Sequence, residues 1–323
     1  MSKLFSDRNR PVHMGRYPTE LLKRSRVMPD LEGLAPWPDL SFELPAGSHS
    51  LVPAMAEFQA MMDAVRDGAQ NCAPSDIPAD PEERSNHLKA FAYFNDISMV
   101  GIAPLRSDDR LQVPRRNPQI DRLSHALQTR QTKTLAAGID MIMADLRESM
   151  TAKPEPMDHH AYALVFLVAY RRDPRSGETG CDWVQDAQAE RAALLGAETA
   201  TVLANYIRVL GHSARAHSAT TCDVDLARLA VKAGLAQVAG DQIIHPWLKQ
   251  RFGLAAVTTD MALAPDLPLA ADQPKSVRMG LDWGLGRHGG ASRGSHDPYA
   301  RRDYAQGAHP FETLKRVETP TTY

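Results

Sequence analysis

Two histidines that follow a glycine are the residues whose type and spacing could serve chemistry. In the stretch VLGHSARAH, His212 and His217 flank the four residues SARA, which begin with Ser213. Imidazole can ligate a metal or carry a proton. If the stretch is a strand, however, the two rings point to opposite faces, because side chains alternate with period two. A shared metal is therefore not expected, and polar residues at a sheet edge explain the pattern equally well.

A cysteine and two aspartates follow at the start of a predicted helix. Cys222 lies where a helix N-terminus could lower the pKa of a thiol. No histidine partner that would make it a nucleophile can be read nearby. Thr221 or Asp223 can cap the helix, and Asp225 is a further candidate for that role.

Three other positions could belong to a site. Gly234 ends the same predicted helix, and Leu235 follows it in the turn. Thr259 lies at the end of a predicted strand, a usual place for site residues, although capping of the strand end is an equal explanation. The adjacent pair His159 and His160 precedes an apolar run, and we expect both at the surface.

Composition excludes several classes of function. The chain has 323 residues, a formal net charge of -2 and no clustered basic stripe, so a nucleic-acid partner is not expected. Its most apolar run, residues 162–170, is far too short to cross a membrane. The three cysteines are far apart and odd in number, which indicates a reduced, cytoplasmic protein without a disulfide framework.

The apolar patterns predict a layered sheet with flanking helices, an α/β or α+β fold. Strands are predicted at residues 98–103, 161–169, 212–217 and 251–260, and helices at 54–70, 117–150, 182–211 and in the segment after Thr221. The strand at 161–169 is continuously apolar, as is typical of a strand covered on both faces.

Three regions are predicted along the chain. Residues 1–53 are rich in proline and read as an extended arm, and residues 54–274 as an α/β core module. Residues 275–323 are rich in glycine and arginine, without apolar periodicity, and read as a linker or tail.

The order of motifs from residue 150 to 275 resembles the reductive dehalogenases and the related epoxyqueuosine reductases. The matching pieces are VLGHSARAH, AVKAGLA, AAVTTD and PLAADQP, in that order. Both families use a corrinoid, that is cobalamin, and iron–sulfur clusters. The resemblance implies that His212, Ser213, His217, Gly234, Leu235 and Thr259 correspond to cofactor-binding positions.

The departures from the family pattern are as informative. The family carries the cysteine ligands of a cubane cluster directly after the proline-flanked aspartate, whereas the segment AADQPKSVRMGLDWGLGRHGG has no cysteine. A 4Fe-4S cluster requires thiolates at fixed spacing, so this segment cannot supply one. Ala236 also replaces a glycine of the family's turn. These losses resemble the degenerate N-terminal half of the cytoplasmic catabolic branch.

The resemblance therefore implies the N-terminal module of a reductive dehalogenase that removes halogen from halogenated aromatics. In that interpretation this chain is scaffold, with no catalytic residue and no metal ligand, and it need not bind a cofactor itself. Its partner would be the corrinoid- and iron–sulfur-binding half, in the same chain or as a separate subunit. The alternative is a free-standing protein that binds a corrinoid, a flavin or a partner.

Overall fold

The apolar run near residue 165 forms the centre of a four-stranded antiparallel sheet. The computed structural model describes residues 10–40, 49–129, 155–185 and 187–273. The helices in this part are α1 (Val52–Ala64), α2 (Pro81–Phe94), α3 (Gln119–Thr129), α4 (Cys181–Val184), α5 (Gln188–Val209) and α6 (Leu226–Lys232). The strands are β1 (Met99–Pro104), β2 (Arg110–Arg115), β3 (Tyr162–Ala169), β4 (Ala214–His217), β5 (Cys222–Val224), β6 (Gln237–Ala239), β7 (Gln242–Ile244) and β8 (Phe252–Thr259).

The main sheet has the strand order β1-β3-β8-β4, with every neighbouring pair antiparallel. Strands β3 and β8 occupy the centre and pair along their full length, from Tyr162 opposite Thr259 to Ala169 opposite Phe252. Two small two-stranded sheets lie outside it: β2 pairs with β5, and β6 and β7 form a hairpin. The predicted fold class is confirmed, and the four predicted strands are present, the first shifted by one residue and the other three slightly shorter.

Helices cover both faces of this sheet, which explains why β3 has no polar face. On one face α5 and α2 pack against a core that includes Phe166, Leu203 and Val257. On the other face the end of α6 approaches β1 so closely that a side chain at Gly101 would meet the carbonyl oxygen of Ala233 at 2.3 Å. Helices α1 and α3 form an outer layer, with α1 packed on α5.

Two expectations about helices are corrected by the structure. The segment predicted as one helix from residue 182 is divided, because Gln185 has an extended backbone between α4 and α5. Helix α6 is capped by Asp225, whose carboxylate accepts from the backbone N–H groups of Ala227 and Arg228. Asp223 does not cap a helix and instead pairs with Arg66.

The described elements all lie in one compact unit that ends at Asp272. The second half of the helix predicted at 117–150 and the tail predicted at 275–323 lie outside the described residues, as do residues 1–9 and 41–48 of the arm. The three-region division stays a prediction. None of the helices in the described part is both long and apolar enough to span a membrane.

Candidate functional site

A chain of buried hydroxyl and imidazole groups lies at one edge of the main sheet. Because the strands are antiparallel, the starts of β3 and β4 meet the end of β8 at this edge. The Thr258 hydroxyl lies 2.8 Å from Nδ1 of His160 and 2.9 Å from Nε2 of His217. The other ring nitrogen of His160 lies 2.8 Å from the Ser213 hydroxyl. Four polar side chains thus form one network, two from strands β4 and β8 and two from the segments that precede β3 and β4.

The backbone fixes the direction of these hydrogen bonds. The N–H of Asp223 donates to Nδ1 of His217, so the hydrogen of that ring lies on Nε2 and is donated to Thr258. The Thr258 hydroxyl then donates to Nδ1 of His160, and Nε2 of His160 donates to Ser213. Both ring nitrogens of His160 and of His217 thus have a partner, as structural polar networks require.

Burial keeps both histidines neutral. It lowers the pKa of His217 from 6.5 to about 3, although the nearby Asp223 carboxylate opposes the shift. Burial likewise lowers the pKa of His160 to about 3. The carboxylate of Asp223 is itself held by Arg66 at 2.8 Å and by Arg215 at 3.4 Å. These rings are therefore hydrogen-bonding units at neutral pH and carry no charge.

The predicted site residues divide between two places. Ser213 and Thr259 lie together, since the Thr259 hydroxyl donates to the carbonyl of Ser213 at 2.7 Å, and His217 joins them through Thr258. His212 lies at the rim, 3.6 Å from Asp260. Gly234 and Leu235 lie apart from this network, at the end of α6, which packs on a face of the sheet against β1, β3 and β8.

The turn at Gly234 is occupied by the arm. Arg24 donates from Nη1 to the carbonyl of Gly234 at 2.7 Å and to that of Leu267 at 3.0 Å. A side chain at Gly234 would meet that Nη1 at 1.8 Å and the Leu267 oxygen at 2.3 Å. Leu235 and Ala236 are also buried. The residues as they stand do not fit a corrin ring at this turn.

His160 is the member of the network that its sequence context does not reveal. His159 is exposed as expected, but His160 is buried and bridges Ser213 and Thr258. The adjacent apolar strand offered the only signal, because a residue next to a fully buried strand is often buried too. Cys222 also departs from its expected environment: it lies in β5, and burial raises the pKa of its thiol to about 12.

Metal-ligating groups do not converge in the part of the chain that is described. No cluster of three or more histidine, cysteine or acidic side chains there could hold an ion. The assignment of His212, Ser213, His217, Gly234, Leu235 and Thr259 to cofactor binding stays a prediction. The arrangement around Thr258 acts as a hydrogen-bonded joint between strands.

The neutral histidines make stability depend on pH. His160, His217 and His245 each have a pKa lowered to about 3 by burial. As pH falls below 6.5, each of these histidines takes up a proton in the unfolded chain but stays neutral in the folded protein. The stabilisation is therefore complete above pH 6.5 and is lost as pH falls towards 3. We expect the free energy of unfolding to fall by about 1.4 kcal/mol per pH unit per histidine in this window.

Urea unfolding at a series of pH values measures this slope. His217→Gln should reduce the slope by about 1.4 kcal/mol per pH unit, since one histidine no longer titrates. The matched control is His87→Gln, which replaces an exposed ring and should leave the slope unchanged. An unchanged slope in His217→Gln would show that this ring is already protonated in the folded protein.

In sequence and in fold the chain is similar to the reductive dehalogenases, and the resemblance drawn from the sequence is confirmed. The solved structures similar to it include catabolic enzymes of that class. NpRdhA, a catabolic reductive dehalogenase, is 32% identical with a TM-score of 0.68 over 98% of this chain. A second solved reductive dehalogenase, whose structure suggests a mechanism for B12-dependent dehalogenation, is also 32% identical with a TM-score of 0.68, over 99% of this chain. NpRdhA in complex with 3-bromo-4-hydroxybenzoic acid is 30% identical with a TM-score of 0.67, over 97% of this chain.

The chain spans about two fifths of these relatives, 39% of the first two and 38% of the third. The epoxyqueuosine reductase of Bacillus subtilis is far more distant, at 14% identity and a TM-score of 0.33 over 59% of this chain and 48% of its own. No protein-family model and no curated protein matches the sequence.

Proposed function

We propose that this chain is the scaffold module of a corrinoid- and 4Fe-4S-dependent reductive dehalogenase that removes halogen from halogenated aromatics. The observation that carries the proposal is the match of 98% of this chain to 39% of a catabolic reductive dehalogenase at 32% identity. The module corresponds to the N-terminal half of such an enzyme, and the reaction takes place in the other half. Reduced cobalt in the corrinoid supplies the chemistry there.

The internal bonding of the candidate residues supports a scaffold role. Arg24 occupies the turn at Gly234, and the His160–Thr258–His217 network satisfies its own hydrogen bonds. Such residues stabilise the module but leave few groups free for a ligand. The three cysteines, at 72, 181 and 222, are too far apart in sequence for a cluster motif. All three are unpaired thiols, which agrees with the proposed cytoplasmic location.

An apolar stripe on α5 supports a large protein partner. Val202, Tyr206 and Val209 recur at helical spacing and are 49%, 47% and 53% exposed. The Tyr206 ring stacks on Phe91 of α2, with centroids 6.4 Å apart, and Phe94 at the end of α2 is 82% exposed. Contiguous apolar surface of this kind marks protein contacts. We assign it to the corrinoid-binding half.

A charge placed in this stripe should separate the two halves. The test produces this chain, carrying an affinity tag, together with a separate corrinoid-binding polypeptide, the partner proposed above. The cobalt and iron recovered with the tag are then quantified. We expect Val202→Glu with Tyr206→Lys to reduce recovery at least about tenfold, because both side chains are desolvated in the contact.

Val113→Glu is the matched control, since Val113 is 79% exposed on β2, outside the helical layer. It should recover as much cobalt as the unaltered chain, and both variants should retain the far-UV spectrum. Recovery of metal by the stripe variant would show that the contact lies elsewhere. Absence of metal with the unaltered chain would favour the free-standing alternative.

A further inference from the structure

An apolar cavity lies at the end of the sheet where β3 finishes and β8 begins. Its volume is about 390 Å³. Its floor is formed by Phe252 and Gly253 of β8 and by the first turns of α5, and its roof by residues 35–40 of the arm. The His160–Thr258 network belongs to the opposite end of the same two strands.

The roof is fixed to the core at three points. The backbone N–H of Ala35 donates to the carbonyl of Asp241 at 2.8 Å. The backbone N–H of Trp37 donates to the carboxylate of Asp225. The Trp37 ring stacks on Phe252, with centroids 5.3 Å apart and an angle of 19° between the ring planes. A roof held in this way maintains the space below it.

Small side chains explain why the space exists. Four alanines from three segments line the cavity: Ala189 and Ala193 of α5, Ala219 of the loop between β4 and β5, and Ala227 of α6. Protein interiors are normally packed with few voids larger than a water molecule. A leucine at any of these positions would project into the space, so the alanines leave a cavity of ligand size.

The lining defines the chemistry of a ligand. The walls are mainly apolar and include Trp37, Phe252 and Ile243, while Tyr170, Gln242 and the carboxylate of Asp39 supply polar groups. The described residues that line the cavity include no lysine, arginine or histidine. An anion would therefore lose its hydration without gaining a counter-charge. An apolar cavity of about 150 Å³ holds benzene, so this one has room for two fused rings.

We propose that this cavity binds a neutral, planar, two-ring aromatic molecule with a hydroxyl or amide substituent. The rings lie between the alanines of α5 and the Trp37–Phe252 pair. The substituent reaches the Tyr170 hydroxyl or the Gln242 amide. The inference stands apart from the proposed dehalogenase role, because it requires neither corrinoid nor a partner chain.

Titration of the 323-residue chain with 2-naphthol and with 2-naphthoate at pH 7.5 tests the proposal, with binding followed by saturation-transfer NMR. We expect 2-naphthol to bind with a Kd of about 100 µM, typical of a fragment of its size. The naphthoate anion should bind at least about tenfold more weakly. Ala189→Trp, which fills the cavity from a half-buried position, should weaken 2-naphthol binding at least about tenfold.

Ala73→Trp is the control, at an exposed alanine beside the far end of α5, about 30 Å away along that helix. It should bind 2-naphthol normally. Ala189→Leu provides a milder filling variant if the tryptophan disturbs the fold, and should weaken binding in the same direction. The proposal is overturned if 2-naphthol does not bind, if the anion binds equally well, or if both Ala189 variants bind as the unaltered chain does.

Discussion

Replacement of Asp63 by alanine is expected to lower the free energy of unfolding by about 3–4 kcal/mol, because it removes the acceptor of four buried donors. Asp63 lies on α1 with 4% of its surface exposed. Its carboxylate accepts from Gln59 at 3.0 Å, Asn117 at 2.8 Å, Ser218 at 2.6 Å and Thr220 at 2.5 Å. The bonds join the outer helix to the loop between β4 and β5, so their loss affects two layers at once.

Urea unfolding at pH 7 measures this change. Glu57→Ala is the control, since Glu57 is an exposed residue of the same helix and should change the stability by less than about 0.5 kcal/mol. A loss below about 1 kcal/mol in Asp63→Ala would show that the four donors find other partners, and that the carboxylate is not the organising group of this cluster.

Gly234→Ala is expected to cost about 3 kcal/mol or more, the sum of two effects. Gly234 has φ +67, where an alanine is strained, and its new methyl group would meet Arg24 and the Leu267 carbonyl oxygen. The second contact is with backbone, which cannot move aside cheaply. The arm and the segment around Leu267 would both have to shift.

A second glycine separates the two effects. Gly240, in the turn between β6 and β7, has nearly the same φ of +68 but nothing within 4 Å of a new methyl group. Gly240→Ala should therefore cost only the conformational term, about 1 kcal/mol. Equal losses in the two variants would mean that the arm does not occupy the turn at Gly234, which would remove one support for the scaffold role.

The central strands were predictable because their signal is local. The apolar runs that became β3 and β8 contain few polar residues, and a strand buried on both faces must be apolar throughout. The cap at Asp225 is likewise a local effect, since the carboxylate bonds to N–H groups two and three residues later. The order of the motifs VLGHSARAH and AAVTTD carried the resemblance that the structural neighbours confirm.

The polar networks were not predictable, because their members are distant in sequence. His160 and Thr258 are joined only when β3 and β8 pair. Arg24 reaches Gly234 across some two hundred residues, and no local pattern marks either as a partner. Cys222 was expected near a helix N-terminus, but the chain forms β5 there and buries the thiol. Tertiary contacts decide each of these environments.

The most direct test of the scaffold role is a UV–visible titration of the purified 323-residue chain with hydroxocobalamin, alone and together with the corrinoid-binding polypeptide proposed as its partner. The account predicts no spectral shift with the chain alone at concentrations up to about 100 µM, and a shift when both polypeptides are present. A shift with the chain alone, at a Kd of about 10 µM or tighter, would contradict it. That result would make His212 and Ser213 the first residues to replace.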